Sequence, residues 1–168
     1  MAYSLYDATA VMAKYAITAL DGMITKAQEH PNSATFFEAR LIDDMKPLTF
    51  QVHYATAQAE SIAARLSGKE PVELEEDVDT YEKMHARTQK AIQALDALDK
   101  DAVNKIGETM MTYETGGREL VVPIKATVAQ LNLPNIYFHV SMAYAIFRKE
   151  GVPLGKRDWS RPFVSEYL

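Results

Sequence analysis

Met45-Lys46-Pro47-Leu48-Thr49-Phe50-Gln51-Val52-His53-Tyr54-Ala55-Thr56-Ala57-Gln58-Ala59-Glu60-Ser61-Ile62-Ala63-Ala64-Arg65-Leu66 repeats apolar side chains at alternating steps of three and four. Met45, Leu48, Val52, Ala55, Ala59, Ile62 and Leu66 therefore fall on one stripe of an α-helix, sustained for three heptads. Gly68 stands where a helix closes, and Pro71 prevents it from resuming. A stripe this narrow and this long is the signature of a helix packed in a bundle.

The flanking sequence repeats the pattern. Leu5, Ala8, Met12, Tyr15, Ala19, Met23 and Ala27 predict a first helix from Ser4, its N-cap, to about Glu29, where Pro31 and Asn32 stop it. Residues 34–41, with Phe36, Phe37 and Arg40, read as a helical turn crossing the bundle end. A third helix is expected from about Leu74 to Leu98. It is acidic in its first turns, and its inner stripe is Val78, Tyr81, Met84, Thr88, Ala91 or Ile92, Leu95 and Leu98. The period then changes: residues 109–113 and 119–122 flank Thr115-Gly116-Gly117-Arg118 and read as a β-hairpin. A last long helix begins near Ala126 or at Pro134 and runs to Lys149. Gly151, Pro153 and Gly155 end it, and Lys156, Arg157 and Arg161 form a basic tail. The expected fold is all-α: an antiparallel four-helix bundle, residues 1–168 as one domain, with a small hairpin between the third and fourth helices.

Composition limits the function classes. Apolar residues at 48% and charged residues at 24% describe a folded globular chain. The absence of cysteine removes disulfide and thiolate chemistry and fits a reducing compartment. A net charge of −5 and the lack of a basic recognition helix argue against nucleic acid as a partner. No run approaches the roughly 18 apolar residues of a membrane span. The start, Met1 to Asp7, lacks the basic opening of a secretory signal, so the expectation is a cytoplasmic protein with no membrane partner. Ile136 to Phe147 is apolar on nearly every face. Such a helix is enclosed by its own bundle or by a second copy, and a homodimer is expected.

Candidate chemistry rests on few residues. His139 shares a helix face with Asn135, Met142, Ala143 and Ile146, which suits a hydrogen-bonded core histidine as well as an acid–base group. Asn135 and His139 stand one turn apart, the spacing of paired metal ligands, although an amide is a poor ligand for zinc or nickel. His53 borders the apolar stripe of its helix, and His85 reads as a solvated neighbour of Lys83 and Arg87. Tyr137, Ser141, Tyr144 and Arg148 share another face, suited to a wet pocket or a subunit interface. Arg40, Asp43, Asp44 and Gln51 gather where the second helix begins, as caps or as a polar site. There is no phosphate loop, nucleophile elbow or HExxH motif.

Three stretches carry a family resemblance. They are Leu133-Pro134-Asn135-Ile136-Tyr137-Phe138-His139, Ala143-Tyr144-Ala145-Ile146-Phe147-Arg148, and Gly151-Val152-Pro153-Leu154-Gly155-Lys156-Arg157-Asp158. With Ala39 to Val52 and Ser4-Leu5-Tyr6-Asp7, they resemble a bacterial and fungal family of unknown function, a branch of the DinB/YfiT-like metalloenzymes. That resemblance implies a four-helix bundle. Typical members hold a metal with one histidine of the second helix and an HxxxH pair of the fourth, followed by arginine and glycine nine and twelve residues on. Arg148 and Gly151 stand at those offsets from His139. In this register Asn135 replaces the first histidine of the pair, and His53 falls near the second-helix ligand. The resemblance thus implies a weakly bound divalent ion, zinc or nickel, held by His53 and His139, or a site converted to metal-free work.

The functional expectation is a small-molecule enzyme of acid–base isomerase, cyclase or transferase type. His139 is its acid–base group, Asn135 orients substrate, Tyr137 or Tyr144 donates a hydrogen bond, and Arg40, Gln51, His53 and Arg148 contact substrate. His53, Asn135 and His139 are expected to converge in one pocket. The alternative is a non-catalytic small-molecule-binding or stress-associated protein with a degenerate metal site.

Overall fold

The computed structural model describes residues 3–167, so Met1, Ala2 and Leu168 lie outside the description. Four long helices form the bundle: α1 (Met12–Gln28), α2 (Leu48–Leu66), α3 (Tyr81–Asp96) and α6 (Leu133–Lys149). Between α3 and α6 lie a short helix α4 (Lys100–Ile106), strands β1 (Met110–Thr115) and β2 (Arg118–Pro123), and one turn, α5 (Ile124–Ala126). A C-terminal helix α7 (Lys156–Ser160) leads into a 3₁₀ segment, Arg161–Tyr167. Two stretches are wound as π-helix, Asp7–Val11 before α1 and Thr127–Asn132 before α6.

Local chemistry explains the boundaries. Ser4 and Asp7 exchange bonds at the first helix start: Asp7 N donates to Ser4 Oγ at 3.4 Å and Ser4 N donates to Asp7 Oδ2 at 3.1 Å. The α2 stripe begins at Leu48 rather than Met45, because Pro47 takes the cap position with extended backbone. Gly68, with φ +70°, closes α2: Gly68 N donates to the Arg65 carbonyl and Lys69 N to that of Ala64. That double bond pattern needs the left-handed conformation glycine adopts freely. In the hairpin, Thr115 pairs with Arg118, and Gly116 and Gly117 at φ +57° and +72° make the tight turn between them.

Side-chain pairs set the helix directions. Lys14 pairs with Asp96 and Asp21 with His85, so α1 and α3 are antiparallel. His139 meets Gln51 and Asn132 meets Gln58, so α2 and α6 are antiparallel as well. By contrast α2 and α3 run the same way, since residues 76–79 lie beside Lys46, Pro47 and Thr49 at the start of α2, and Lys90 pairs with Glu60 further along. The chain must therefore travel back along α2 before α3 can begin. Residues 67–80 reach about 46 Å when extended but only about 21 Å as helix, against about 28 Å for α2. That length requirement explains why α3 starts at Tyr81, capped by Thr80, and not near Leu74. Where the sequence predicts a helical turn over 34–41, the helical residues are Ser33–Thr35, as a 3₁₀ turn. The additional helix α4 is capped by Asp99, whose carboxylate accepts from Ala102 N at 2.8 Å.

Leu48, Val52, Ala55, Ala59, Ile62 and Leu66 are at most 1% exposed and meet Ile17, Leu20, Ile24, Ile136, Val140 and Phe147 in the core. The apolar surplus of α6 is covered partly by the chain's own end. Tyr137 packs against Trp159 and Phe163 with ring centroids 6.1 Å away from each, and Asp158 ties this segment to Lys26 of α1. Phe138 remains 52% exposed. Among the described residues no helix is long and apolar enough to cross a membrane.

Asp21 is the main polar tie between α1 and α3. Its Oδ1 lies 2.7 Å from His85 Nδ1 and accepts from Thr88 Oγ1 at 2.5 Å, while Oδ2 accepts from Gln89 Nε2 at 3.0 Å. Thr88 is fully buried, and Asp21→Ala removes all three contacts and leaves the Thr88 hydroxyl only the His85 carbonyl at 2.9 Å. The expected loss is about 2 kcal/mol, a fall of roughly 4–8 °C in Tm, readable by calorimetry at pH 7.

Candidate functional site

On α2 the apolar stripe has two unlike flanks. Gln51, Gln58 and Arg65 are spaced by sevens along one of them, with Tyr54 and Ser61 just beyond, and this flank faces α6. His53 and Glu60 lie on the other flank, towards α3 and the returning chain. Two residues along a helix turn through about 200°, so Gln51 and His53 project in nearly opposite directions.

At one end of the α2–α6 seam, His139 Nδ1 lies 2.7 Å from Gln51 Oε1. Gln51 is 2% exposed, and its amide is oriented by a second bond, Nε2 donating to the Lys46 carbonyl at 3.0 Å. The amide oxygen must therefore face the imidazole, which makes Nδ1 the protonated nitrogen and Nε2 the lone-pair nitrogen. Tyr54, Phe138 and Phe50 surround the ring with centroids 4.6, 5.1 and 5.9 Å from it. Burial in this apolar setting pushes His139 down to about 4 from its usual 6.5, and no carboxylate offsets it.

Two helical turns away, Asn132 organises a second cluster. Its Oδ1 accepts from Arg65 Nη1 at 3.0 Å and its Nδ2 donates to Gln58 Oε1 at 2.6 Å. Arg65 Nη1 also donates to Ser61 Oγ, and the guanidinium lies 5.5 Å over the ring of Tyr113 on β1. Asn132 ends the π-wound stretch and is 2% exposed. Such stretches recur at functional sites.

The other candidate residues are distributed around the bundle. Asn135 lies half-buried one turn from His139, but its Nδ2 donates to the Leu131 carbonyl of its own helix. His53 faces Arg87, Glu76, Asp77 and the Glu75 backbone; burial and then Arg87 lower its pKa, and its Nδ1 has no partner. Tyr137, pushed up to about 12 by burial, faces the C-terminal segment, and Tyr144 projects from the same side of α6, since seven residues bring a helix back to nearly the same face. Arg40 donates to the Met45 carbonyl and Arg148 to that of Leu154, each holding a loop. Of the expected residues, the structure thus brings together His139 and Gln51. Gln58, Ser61, Arg65, Asn132, Tyr54, Phe50 and Tyr113 join that seam without being singled out by the sequence. The heptad spacing of Gln51, Gln58 and Arg65 is the signal that could have found three of them.

Residues 5–160 match the family model described as a domain of unknown function, DUF1993. The chain belongs to the DUF1993 family. No curated protein matches it. In fold this DUF1993 chain is similar to a DinB family member from Shewanella denitrificans, known from its crystal structure. The TM-score is 0.80 at 24% identity, over 92% of this chain and 90% of that one.

A metal of the kind expected from DinB-like bundles does not fit these residues. Among the described residues no three histidine, cysteine, aspartate or glutamate side chains group closely enough to hold one. His139 has only Nε2 to offer, Asn135 turns its amide nitrogen into its own helix, and His53 looks the other way, so the imidazole has no second histidine beside it. Gln51 and Gln58 stand on the flank of α2 that faces α6, and amides are weak partners for zinc or nickel.

The buried imidazole makes a pH prediction. The folded protein holds His139 neutral down to about pH 4, whereas the unfolded chain protonates it below about 6.5. Its contribution to stability is fully present above pH 6.5 and is lost as the pH falls from there to 4. Urea unfolding at pH 7 and pH 4.5 should show the wild type losing about 2 kcal/mol more than His139→Gln over that interval. The two-variant comparison removes the contributions of His53 and of the carboxylates.

Proposed function

We propose that the DUF1993 chain handles a small organic molecule along the α2–α6 seam, and that His139 Nε2 takes a hydrogen bond or a proton from it. The supporting observation is the Gln51 bond at 2.7 Å, which holds Nδ1 and leaves Nε2 without a protein partner among the described residues. A base must be neutral at working pH, and a ring whose pKa is pushed down to about 4 meets that condition. Gln51 plays the orienting part that a carboxylate plays in charged dyads, without adding charge. Asn135, one turn away, keeps its side-chain oxygen for ligand, and Tyr54, rather than Tyr137 or Tyr144, stands against the imidazole. This equipment suits acid–base isomerisation, cyclisation or group transfer. The proton accepted at Nε2 is held weakly and returns readily to another atom of the same substrate.

A second reading, a binding protein without turnover, draws on the same burial. An imidazole this weakly basic removes a proton poorly but accepts a hydrogen bond well. One experiment addresses both. Thermal-shift screening against small organic molecules bearing O–H or N–H donors should yield compounds that raise Tm for the wild type. Their effect should vanish in His139→Ala and shrink in Gln51→Leu, each variant checked for an unchanged amide spectrum. Proton NMR of the mixtures then reports whether a bound compound is converted. Compounds that stabilise His139→Ala as well as the wild type would remove His139 from the site.

A further inference from the structure

Arg65 is unlike Arg87 and Arg40, each of which has a carboxylate beside it. Arg87 pairs with Asp77 at 2.6 Å, and Arg40 has Glu38 at 4.0 Å besides its carbonyl bond. Arg65 is half-buried, and among the described residues no carboxylate pairs with it. Its neighbours are neutral: Ser61, Asn132 and the face of Tyr113, with Glu70 acting only through space. Its Nε is buried with no acceptor among the described residues. A cation taken from water into such surroundings is ordinarily compensated by an anion.

The donors left over point the same way. Asn132 gives its oxygen to Arg65 and its nitrogen to Gln58 Oε1, so Gln58 is held with its own Nε2 uncommitted. Arg65 Nη2 is likewise without a protein acceptor, and both donors belong to groups gathered on the one Asn132 side chain. A fork of guanidinium N–H with an adjacent amide N–H is the arrangement that receives two oxygens. We propose that Arg65 and Gln58, positioned by Asn132, form a binding subsite for the carboxylate of a small organic acid. The proposal extends the reading of the seam as a ligand site by naming the ligand's charged end. One guanidinium balances one negative charge. A dianionic phosphate would bring a second charge to that one guanidinium in a chain of net −5, so the carboxylate is the better fit. Asn132 and His139 are seven residues apart, about 10 Å along α6, so an acid anchored at Arg65 must extend about that far along the helix to meet the imidazole.

Uniformly labelled full-length protein would be titrated with linear monocarboxylates, from acetate upward, and separately with inorganic phosphate. The carboxylates should shift the Arg65 Nε–H and Asn132 side-chain signals saturably, and phosphate should bind more weakly than the best acid. Arg65→Gln should weaken the acid by about tenfold or more, the scale of a charged hydrogen bond, with Arg65→Lys intermediate. Gln58→Leu serves as a second variant should Arg65→Gln fail to fold, and it too should weaken binding. The subsite is overturned if no carboxylate shifts these signals, if folded Arg65→Gln and Gln58→Leu bind as tightly as wild type, or if phosphate binds best. Acids long enough to reach His139 should move its imidazole signals. Arg65-dependent binding that leaves those signals still, and is unaffected by His139→Gln, upholds the carboxylate subsite and counts against His139 as its companion.

Discussion

The arrangement turns on one constraint: α2 and α3 run in the same direction, side by side. Parallel neighbours cannot be joined by a tight turn, so residues 67–80 return along the length of α2 and α3 settles on its far flank. That leaves the opposite flank of α2 to α6. The two flanks then meet different chemistry. Towards α3 and the returning chain, His53 and Glu60 face Arg87 and Lys90, an ordinary charged border. Towards α6, Gln51, Gln58 and Arg65 face Asn132 and His139 in a border made mostly of amides.

The bundle is legible in the sequence because its causes are local. The stripe from Leu48 to Leu66, the stop at Gly68 and the turn at Gly116-Gly117 each follow from periodicity or backbone conformation, and each stands where the residues place it. The start of α3 is not legible, because what keeps residues 74–80 from being helical is the distance they must cover. The site suffers from the same gap. Gln51 and His53 both border the apolar stripe, and periodicity treats the two borders alike. Which border looks at His139 depends on which helix lies on which side, and that is decided by the crossover. His139 itself is legible as a histidine among apolar neighbours that needs a polar partner. The partner is Gln51, two residues from the His53 that the metal-site register favours.

A seam of amides differs in kind from a seam of histidines. A set of imidazoles would titrate together near neutral pH and compete for protons and metal ions. Gln51, Gln58, Asn132 and Asn135 have no such transition, so the donors and acceptors they present are the same at any working pH. Amides also order one another, since each has one donor end and one acceptor end. Lys46 O fixes the sense of Gln51, and Gln51 in turn fixes the tautomer of His139. Arg65 fixes the sense of Asn132, and Asn132 fixes that of Gln58. Each of these groups is oriented by a chain of bonds that begins at a group with no choice, a backbone carbonyl or a guanidinium.

Two ends of opposite character follow from that ordering. At the His139 end the oriented chain terminates in a lone pair, an acceptor without a donor. At the Arg65 end it terminates in N–H groups, donors without an acceptor, one of them carrying a formal positive charge. Arg65 Nε is buried without an acceptor among the described residues, and a seam built only to hold two helices together gains nothing from a group that costs roughly 1–3 kcal/mol when kept from water. Apolar pairs would have packed α2 against α6 with less desolvation, as they do one flank over at Leu48, Ile62 and Val140. The mismatch is complementary to a molecule with a donor at one end and a carboxylate at the other. The π-wound stretch ending at Asn132 belongs to the same logic. It gives up regular α-helical winding immediately before the residue that orients the cationic end, and it delivers Asn132 in phase with His139 two turns further on.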